Sequence, residues 1–305
     1  MATAPIQRIA LVGFGEAGGI LGQDFAKLRV AVTAYDILLD SPESRDAMLA
    51  KARNSGVEAR GSLAESLRDA ELVISAVTAT SDLDVARDAS SILRPGQIFM
   101  DINSVSPGTK REAAVLVELS GAHYVEAAVM AALPPQRLKV PMLLGGKYAA
   151  ELASRLGLLG MNATPVSEKI GVASAVKMCR SVMIKGMEAL AVECLFAARN
   201  YGAEEAVLES LEATYPNMGW RQSLPDYLIS RVAEHGRRRA AEMREVAETL
   251  REVGIDPKMA EATAQRQDSL VSEMAEQRLN YKEMKPFSWI ALAEALSKPT
   301  SGKKR

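Results

Sequence analysis

A lysine, an arginine and a serine, Lys177, Arg180 and Ser181, stand at i, i+3 and i+4 in a segment otherwise rich in Ala, Val and Met. On a helix that spacing projects all three from one side. Ser174 carries the polar stripe backwards and Lys185 carries it forwards. A single lysine on a helix is ordinarily a solvated surface group, but Lys177 follows Ala173, Ala175 and Val176 and shares their core-like character. A partly desolvated amine holds its proton less tightly and, once neutral, can take a proton from a hydroxyl. Arg180 offers the planar, two-pronged donor that a carboxylate needs. An ion pair with Glu188, Glu193 or a partner subunit would occupy it equally well. His235, with Arg237, Arg238 and Arg239 close behind, could contribute to the same chemistry, or could belong to a charged, exposed helix face. The chain has two histidines, His123 and His235, and two widely spaced cysteines, Cys179 and Cys194. Nothing in that pattern resembles a metal-ligand cluster, and no metal is expected.

A second set of residues points to a nucleotide. Gly13-Phe14-Gly15-Glu16-Ala17-Gly18 is a G-x-G-x-x-G between an apolar strand pattern and an amphipathic helix pattern. There the first glycine permits a tight turn, the second lets the backbone approach a pyrophosphate, and the third lets helix and strand pack closely. The helix start supplies unpaired N–H groups to the anion. Asp36 follows Gly15 by 21 positions, at the end of the next strand pattern, where a carboxylate accepts hydrogen bonds from ribose hydroxyls. It would repel a 2′-phosphate, and Ile37 rather than an arginine comes next. NAD is therefore expected rather than NADP, with Phe14, Glu16, Ala17, Val77 and Asn103 completing the cofactor-contacting positions. The plainer alternative is that Asp36 only starts a turn or caps the helix after Pro42, a task for which Asp40 and Ser41 stand closer.

The elements that must carry these residues are legible in outline. Strand patterns cover Ile6–Val12, Val30–Tyr35, Leu72–Ala76, Gln97–Ile102 and His123–Val125, with helices beginning near Glu16, Pro42, Ser62, Asp82 and Pro107. Such alternation builds a parallel sheet from right-handed βαβ units. Another apolar run, Val140–Leu144, ends in Gly145-Gly146, and the periodicity beyond is helical. Long helices are expected over Gly171–Asn200, Ala203–Thr214, Leu224–Glu252 in one or two pieces, Pro257–Leu279 and Ser288–Leu296. The first of these is apolar around most of its circumference and should be largely buried. The expected fold is α/β: a Rossmann domain with a mostly parallel sheet over 1–167, then an all-α domain over 168–305 for substrate and dimerisation. The tail from Lys298 to Arg305 reads as a solvated end.

These blocks resemble the β-hydroxyacid dehydrogenase superfamily, which includes 3-hydroxyisobutyrate dehydrogenase and 6-phosphogluconate dehydrogenase. Besides the glycine turn, Asp101-Ile102-Asn103-Ser104-Val105-Ser106-Pro107 is similar to the family's Asp-x-Ser-Thr-Val-Ser-Pro, and Gly171 to Ser181 to its Gly-x-Gly-x-x-x-Lys-x-x-x-Asn. Tyr124 to Ala132 keeps the register of Asp-Ala-Pro-Val-Ser-Gly-Gly, but Met130-Ala131-Ala132 stands where the family has its substrate-binding Ser-Gly-Gly. The resemblance implies that Lys177 exchanges a proton with a substrate hydroxyl, that Ser181 orients it, and that Ser104 or Asn103 lies near substrate or nicotinamide. It covers about residues 6 to 200 and implies a branch with its own C-terminal domain.

A net charge of −1, from 37 basic and 38 acidic residues, gives no field to attract nucleic acid or an anionic membrane. No apolar run approaches a membrane span, and the cysteine usage fits a reducing cytoplasm. The expectation is a cytoplasmic homodimer that oxidises a β-hydroxy acid or β-hydroxy-α-amino acid with NAD, taking a small carboxylate substrate at Lys177, Ser181, Ser104, Asn103, Met130, Arg180 and His235. Two alternatives stand beside it: an imine reductase on the same fold, and a non-catalytic dinucleotide sensor.

Overall fold

A computed structural model describes residues 4–297; the expected solvated tail lies outside them. The chain divides into two compact units, one ending at Lys177 and the other starting at Met178. The first contains β1 (Arg8–Val12), α1 (Glu16–Lys27), β2 (Ala31–Tyr35), α2 (Pro42–Asn54), β3 (Glu58–Ala59), α3 (Leu63–Leu67), β4 (Leu72–Ser75), α4 (Asp82–Ser90), β5 (Ile98–Asp101), α5 (Pro107–Glu118), β6 (His123–Val129), α6 (Leu133–Gln136), β7 (Met142–Gly145), α7 (Ala149–Gly157) and β8 (Ala163–Ser167). Its strands form one sheet in the order β3-β2-β1-β4-β5-β6-β7-β8. The strands from β1 to β6 pair in parallel, β7 runs antiparallel to β6, and β8 is parallel to β7.

β4 and β5 are buried at every residue, as strands covered by helices on both faces must be. Period-two alternation sorts the strand side chains between two cores. Ile9, Leu11, Ile74 and Met100 pack with Leu21, Phe25 and Leu152 on one face; Ala10, Val12, Val73 and Phe99 pack with Leu67, Ala89 and Val117 on the other. β6 runs four residues past the expected Val125, and the run at Val140 becomes β7. β8 escapes sequence reading because it is an edge strand with a mostly exposed, mixed composition.

α8 (Val172–Tyr201) runs out of the first unit into the second, which continues with α9 (Glu204–Thr214), α10 (Leu224–Glu252), α11 (Lys258–Glu276) and α12 (Trp289–Ser297). Ala191, Val192 and Leu195 of α8 join Ile229, Val232, Leu270, Trp289 and Leu292 in one core, while Met178 joins Ala240, Met243, Val246 and Ala264 in a smaller one. A polar layer occupies α8 between those two apolar stretches. Buried Glu188 accepts from Arg239 Nε at 2.7 Å and also pairs with Arg239 Nη2, and Lys185 Nζ donates to Glu242 at 2.6 Å. Gly236 lets α10 and α11 close up, since a Cβ there would meet Gln267 O at 2.7 Å. The expectation that α8 is buried around most of its circumference is corrected: Val176, Met183, Leu190 and Tyr201 lie on an exposed stripe, Met183 being 67% and Tyr201 87% accessible. Apolar composition alone does not tell a helix that fills a core from one that keeps an uncovered side.

Candidate active site

The glycine turn leaves β1 beside the end of β4, the point at which the strand order reverses and where open α/β sheets bind ligands. Gly13 has φ +87°, and a Cβ on it would meet Ala76 O at 2.4 Å. A Cβ on Gly18 would meet Gly13 O at 2.1 Å, whereas one on Gly15 would have no protein atom within 4 Å. The first and third glycines are thus required by the protein itself, and the second keeps an open approach to the backbone. No side chain caps the N-terminus of α1, so its first N–H groups face outward for an anion. The residues present fit a dinucleotide pyrophosphate.

Asp36 starts a turn, as the plainer sequence alternative had it, and also braces the glycine loop, a use the sequence did not suggest. Its Oδ2 accepts from Phe14 N at 2.6 Å, fastening the glycine turn, and its Oδ1 accepts from Leu38 N at 3.0 Å, capping a short 3-10 turn. Asp40 and Ser41 do not cap α2: Asp40 accepts from Tyr35 OH at 2.6 Å, and Ser41 Oγ turns to Glu43. Burial and the adjacent Asp40 push the Tyr35 phenol up to about 12. Sequence reasoning missed Lys51, whose Nζ donates to Phe14 O at 2.5 Å and Gly15 O at 2.7 Å and lies 5.2 Å from the Phe14 ring centroid. It sits on α2, 36 residues from the turn it secures, and no local spacing announces it.

Beyond β5, Ser104 accepts a hydrogen bond of 2.5 Å from Lys177 Nζ. The structure therefore brings together two of the three residues expected to be catalytic. Asn103 has a different use: Oδ1 accepts from Val77 N at 2.7 Å, while Nδ2 donates to Asp82 Oδ1 at 2.6 Å and Ser75 Oγ at 2.9 Å. Its amide ties the loop after β4 to the loop after β5. Val77 and Asn103, both expected to contact the cofactor, are thus joined directly, with the Asn103 side chain spent on the protein.

A buried ionic group lies under this loop. Lys110 Nζ sits 2.7 Å from Asp101 Oδ1, Asn103 N donates to the same oxygen at 2.9 Å, and Tyr124 OH donates to Asp101 Oδ2 at 2.6 Å. Asp82 has one carboxylate oxygen without a hydrogen-bond partner. Burial, with repulsion from Asp101, pushes its pKa up to about 7 against the opposing pull of Lys110 and Asn103.

Met130 is half-buried, and its N–H donates to Pro141 O at 2.9 Å. Ser181 is buried and Arg180 exposed on α8, in the second unit. Glu188 is taken by Arg239, so it is not the ion-pair partner of Arg180 that the sequence offered. His235 lies 3.3 Å from Glu234, and burial lowers its pKa against that carboxylate's pull. Arg237 and Arg238 line an exposed face, paired with Asp268 and Glu242, while Arg239 turns inward. Among the described residues no cluster of His, Cys, Asp and Glu suits a metal ion, and no helix is long and apolar enough to cross a membrane.

Fold and turn together define a dinucleotide-binding protein of the Rossmann type, and known proteins narrow that class. Residues 8–149 match the NAD binding domain of 6-phosphogluconate dehydrogenase, and residues 198–270 match a domain of unknown function, DUF1932. An uncharacterized 28.5 kDa protein of Methanothermus fervidus is 30% identical over 260 residues, 84% of this chain and 96% of its own. The chain belongs to the family that joins this NAD-binding domain to this helical domain. A conserved hypothetical protein from Sinorhizobium meliloti 1021 has a solved structure that is 37% identical, with TM-score 0.80 over 96% of this chain and 97% of that one. A conserved protein described as structurally similar to 3-hydroxyacid dehydrogenases is 35% identical, with TM-score 0.71 over 86% of this chain and 96% of its own. 3-Hydroxyisobutyrate dehydrogenase of Mycobacterium tuberculosis, solved with L-serine, shares the fold at 15% identity, with TM-score 0.74 over 96% of this chain and 100% of that one. The fold is that of the 3-hydroxyacid dehydrogenases.

Proposed function

We propose that this protein is an NAD-dependent dehydrogenase that oxidises the hydroxyl of a β-hydroxy acid or β-hydroxy-α-amino acid, with Lys177 as the base. The observation that carries the reading is the 2.5 Å hydrogen bond from Lys177 Nζ to Ser104 Oγ, three residues beyond the end of β5 in a dinucleotide-binding sheet. A dinucleotide held at the Gly13–Gly18 turn and by Asp36 would supply the hydride acceptor for the carbinol carbon. Lys177, as a neutral amine, takes the hydroxyl proton as the C–O bond becomes a carbonyl, and returns it in the reverse direction. Ser104 holds the amine in place, and Asn103 fixes the loop that carries Ser104.

Asp36 favours NAD over NADP, because its carboxylate would receive ribose hydroxyls and repel a phosphate. Exposed Ile37 and Leu38 beside it offer an apolar surface for the adenine ring. Ser181 follows Lys177 by four residues and can orient it, and Arg180 offers its guanidinium to the substrate carboxylate. The apolar stretch from Val129 to Pro135 favours a bulkier, less polar substrate. The exposed stripe on α8, from Cys179 through Met183 and Leu190 to Tyr201, supports a homodimer, and two free cysteines fit a reducing cytoplasm.

The test is NADH formation from NAD across a panel of 3-hydroxy acids and β-hydroxy-α-amino acids, with wild type and Lys177→Ala side by side. Turnover that disappears in the variant while NADH binding persists supports the dehydrogenase. Binding without turnover of any panel member overturns it and favours the imine reductase or the sensor.

A further inference from the structure

Glu126 is a carboxylate in the middle of β6, a strand whose other interior residues are apolar, and it is fully buried. Its Oε1 accepts from Gly171 N at 2.6 Å and Ala173 N at 3.1 Å. Its Oε2 accepts from Ser174 N at 3.2 Å and Ser174 Oγ at 2.5 Å. A helix start leaves its first N–H groups without partners and carries partial positive charge. Here a strand residue 45 positions upstream meets both needs. The fit is close: a Cβ on Gly145 would meet Glu126 Oε1 at 2.3 Å, and one on Gly171 would meet Pro107 Cβ at 3.2 Å.

These contacts close a loop around the lysine. Glu126 pairs in register with Asp101 on β5, and Ser104 follows Asp101 by three residues. Lys177 follows Ser174 by three residues and returns to Ser104. One strand pair thus holds both ends of the Lys177 hydrogen bond: β5 through Ser104, and β6 through Glu126 and the first turn of α8.

We propose that Glu126 is the positioning residue for Lys177, anchoring the first turn of α8 so that the amine is held at Ser104. The geometry stands without any assumption about turnover; only its consequence for rate rests on the proposed dehydrogenase. A helix cap that merely stabilised the fold would change the melting temperature and leave the amine alone.

The experiment reads the amine directly. Wild type, Glu126→Gln, Glu126→Asp and the core variant Val117→Ala are acetylated with limiting acetic anhydride across a pH series, and Lys177 labelling is quantified by peptide mass spectrometry against exposed Lys27. Glu126→Gln should raise Lys177 labelling by about tenfold, as local opening of the first helical turn would. Glu126→Asp should fall between it and wild type, and Val117→Ala should match wild type even where its melting temperature drops as far. If Glu126→Gln fails to fold, Ser174→Ala, which removes the hydroxyl donor to Oε2, should raise labelling by about threefold. Wild-type labelling of Lys177 in the folded variants overturns the proposal. For any acid found to turn over, Glu126→Gln should lower kcat by about 100-fold with NADH affinity unchanged, the penalty of a misplaced group. Should no acid turn over, the labelling still decides for or against Glu126, separately from the dehydrogenase reading.

Discussion

Asp36 spends both carboxylate oxygens on backbone N–H groups, and in the proposed reading a 2′-phosphate would have to approach it. Asp36→Ala should therefore weaken NADH binding and at the same time shrink any preference for NADH over NADPH by at least about tenfold, measured by titration of nucleotide fluorescence. Lys51→Met removes a cation from two carbonyls of the turn; NADH affinity should drop by about tenfold, the worth of a charge-assisted hydrogen bond. Asp82 makes a prediction about pH. Its carboxyl has a pKa near 7 in the fold and an ordinary carboxylate value when unfolded. Between roughly pH 4 and 7 the folded state holds a proton that the unfolded state has released, so Asp82 costs progressively more stability as pH rises through that window and no more above it. Asp82→Asn keeps an oxygen acceptor for Asn103 and cannot ionise. Its melting temperature relative to wild type should climb from pH 5 to pH 8; a constant difference would show that Asp82 does not titrate there.

At the scale of elements, the buried layer of α8 and α10 is a place where one substitution should do more damage than two. Removing one partner of the Glu188–Arg239 pair leaves a charge buried and alone, at a cost of about 3–5 kcal/mol, whereas replacing both by apolar groups is often neutral. Glu188→Leu should unfold the helical unit at lower urea, and Glu188→Leu with Arg239→Met should recover most of the loss. Both tryptophans, Trp220 and Trp289, lie in the core of that unit, so their fluorescence follows it alone. The helices of this unit were legible to within three residues, the largest difference being the end of α11 at Glu276 rather than Leu279, because each shows sustained 3.6 periodicity over several turns. The central strands and their helix starts were legible too, Ser62 and Ser106 capping as serines before a helix should. What was hidden depends on long-range contact. β8 has no apolar alternation to announce an edge strand, Lys51 reaches its turn only through the fold, and Glu126 gives only the weak signal of an acid inside an apolar strand. Asn103 was visible as a member of the site but not as a brace, because its use depends on where Val77 and Asp82 fall.

For the molecule as a whole, the exposed stripe of α8 bears on assembly. In the proposed homodimer Met183, Leu190 and Tyr201, exposed along one side of the helix, would be covered by the partner. Sedimentation at micromolar concentration should give a dimer, and Met183→Arg with Leu190→Arg should give the monomer; wild type sedimenting as a monomer would remove the dimer from the reading. The last consequence concerns how such chains can be rebuilt. The division between the two units falls inside α8, after Lys177, and the helix's first turn is anchored to β6. A genetic exchange that joined this nucleotide-binding half to another helical half at residue 167 would import a foreign helix start and strand Glu126 against it. A crossover should be tolerated only where residues 171–177 travel with the strand that holds them, so that the lysine passes on with the nucleotide-binding half and the helical half can be exchanged behind it.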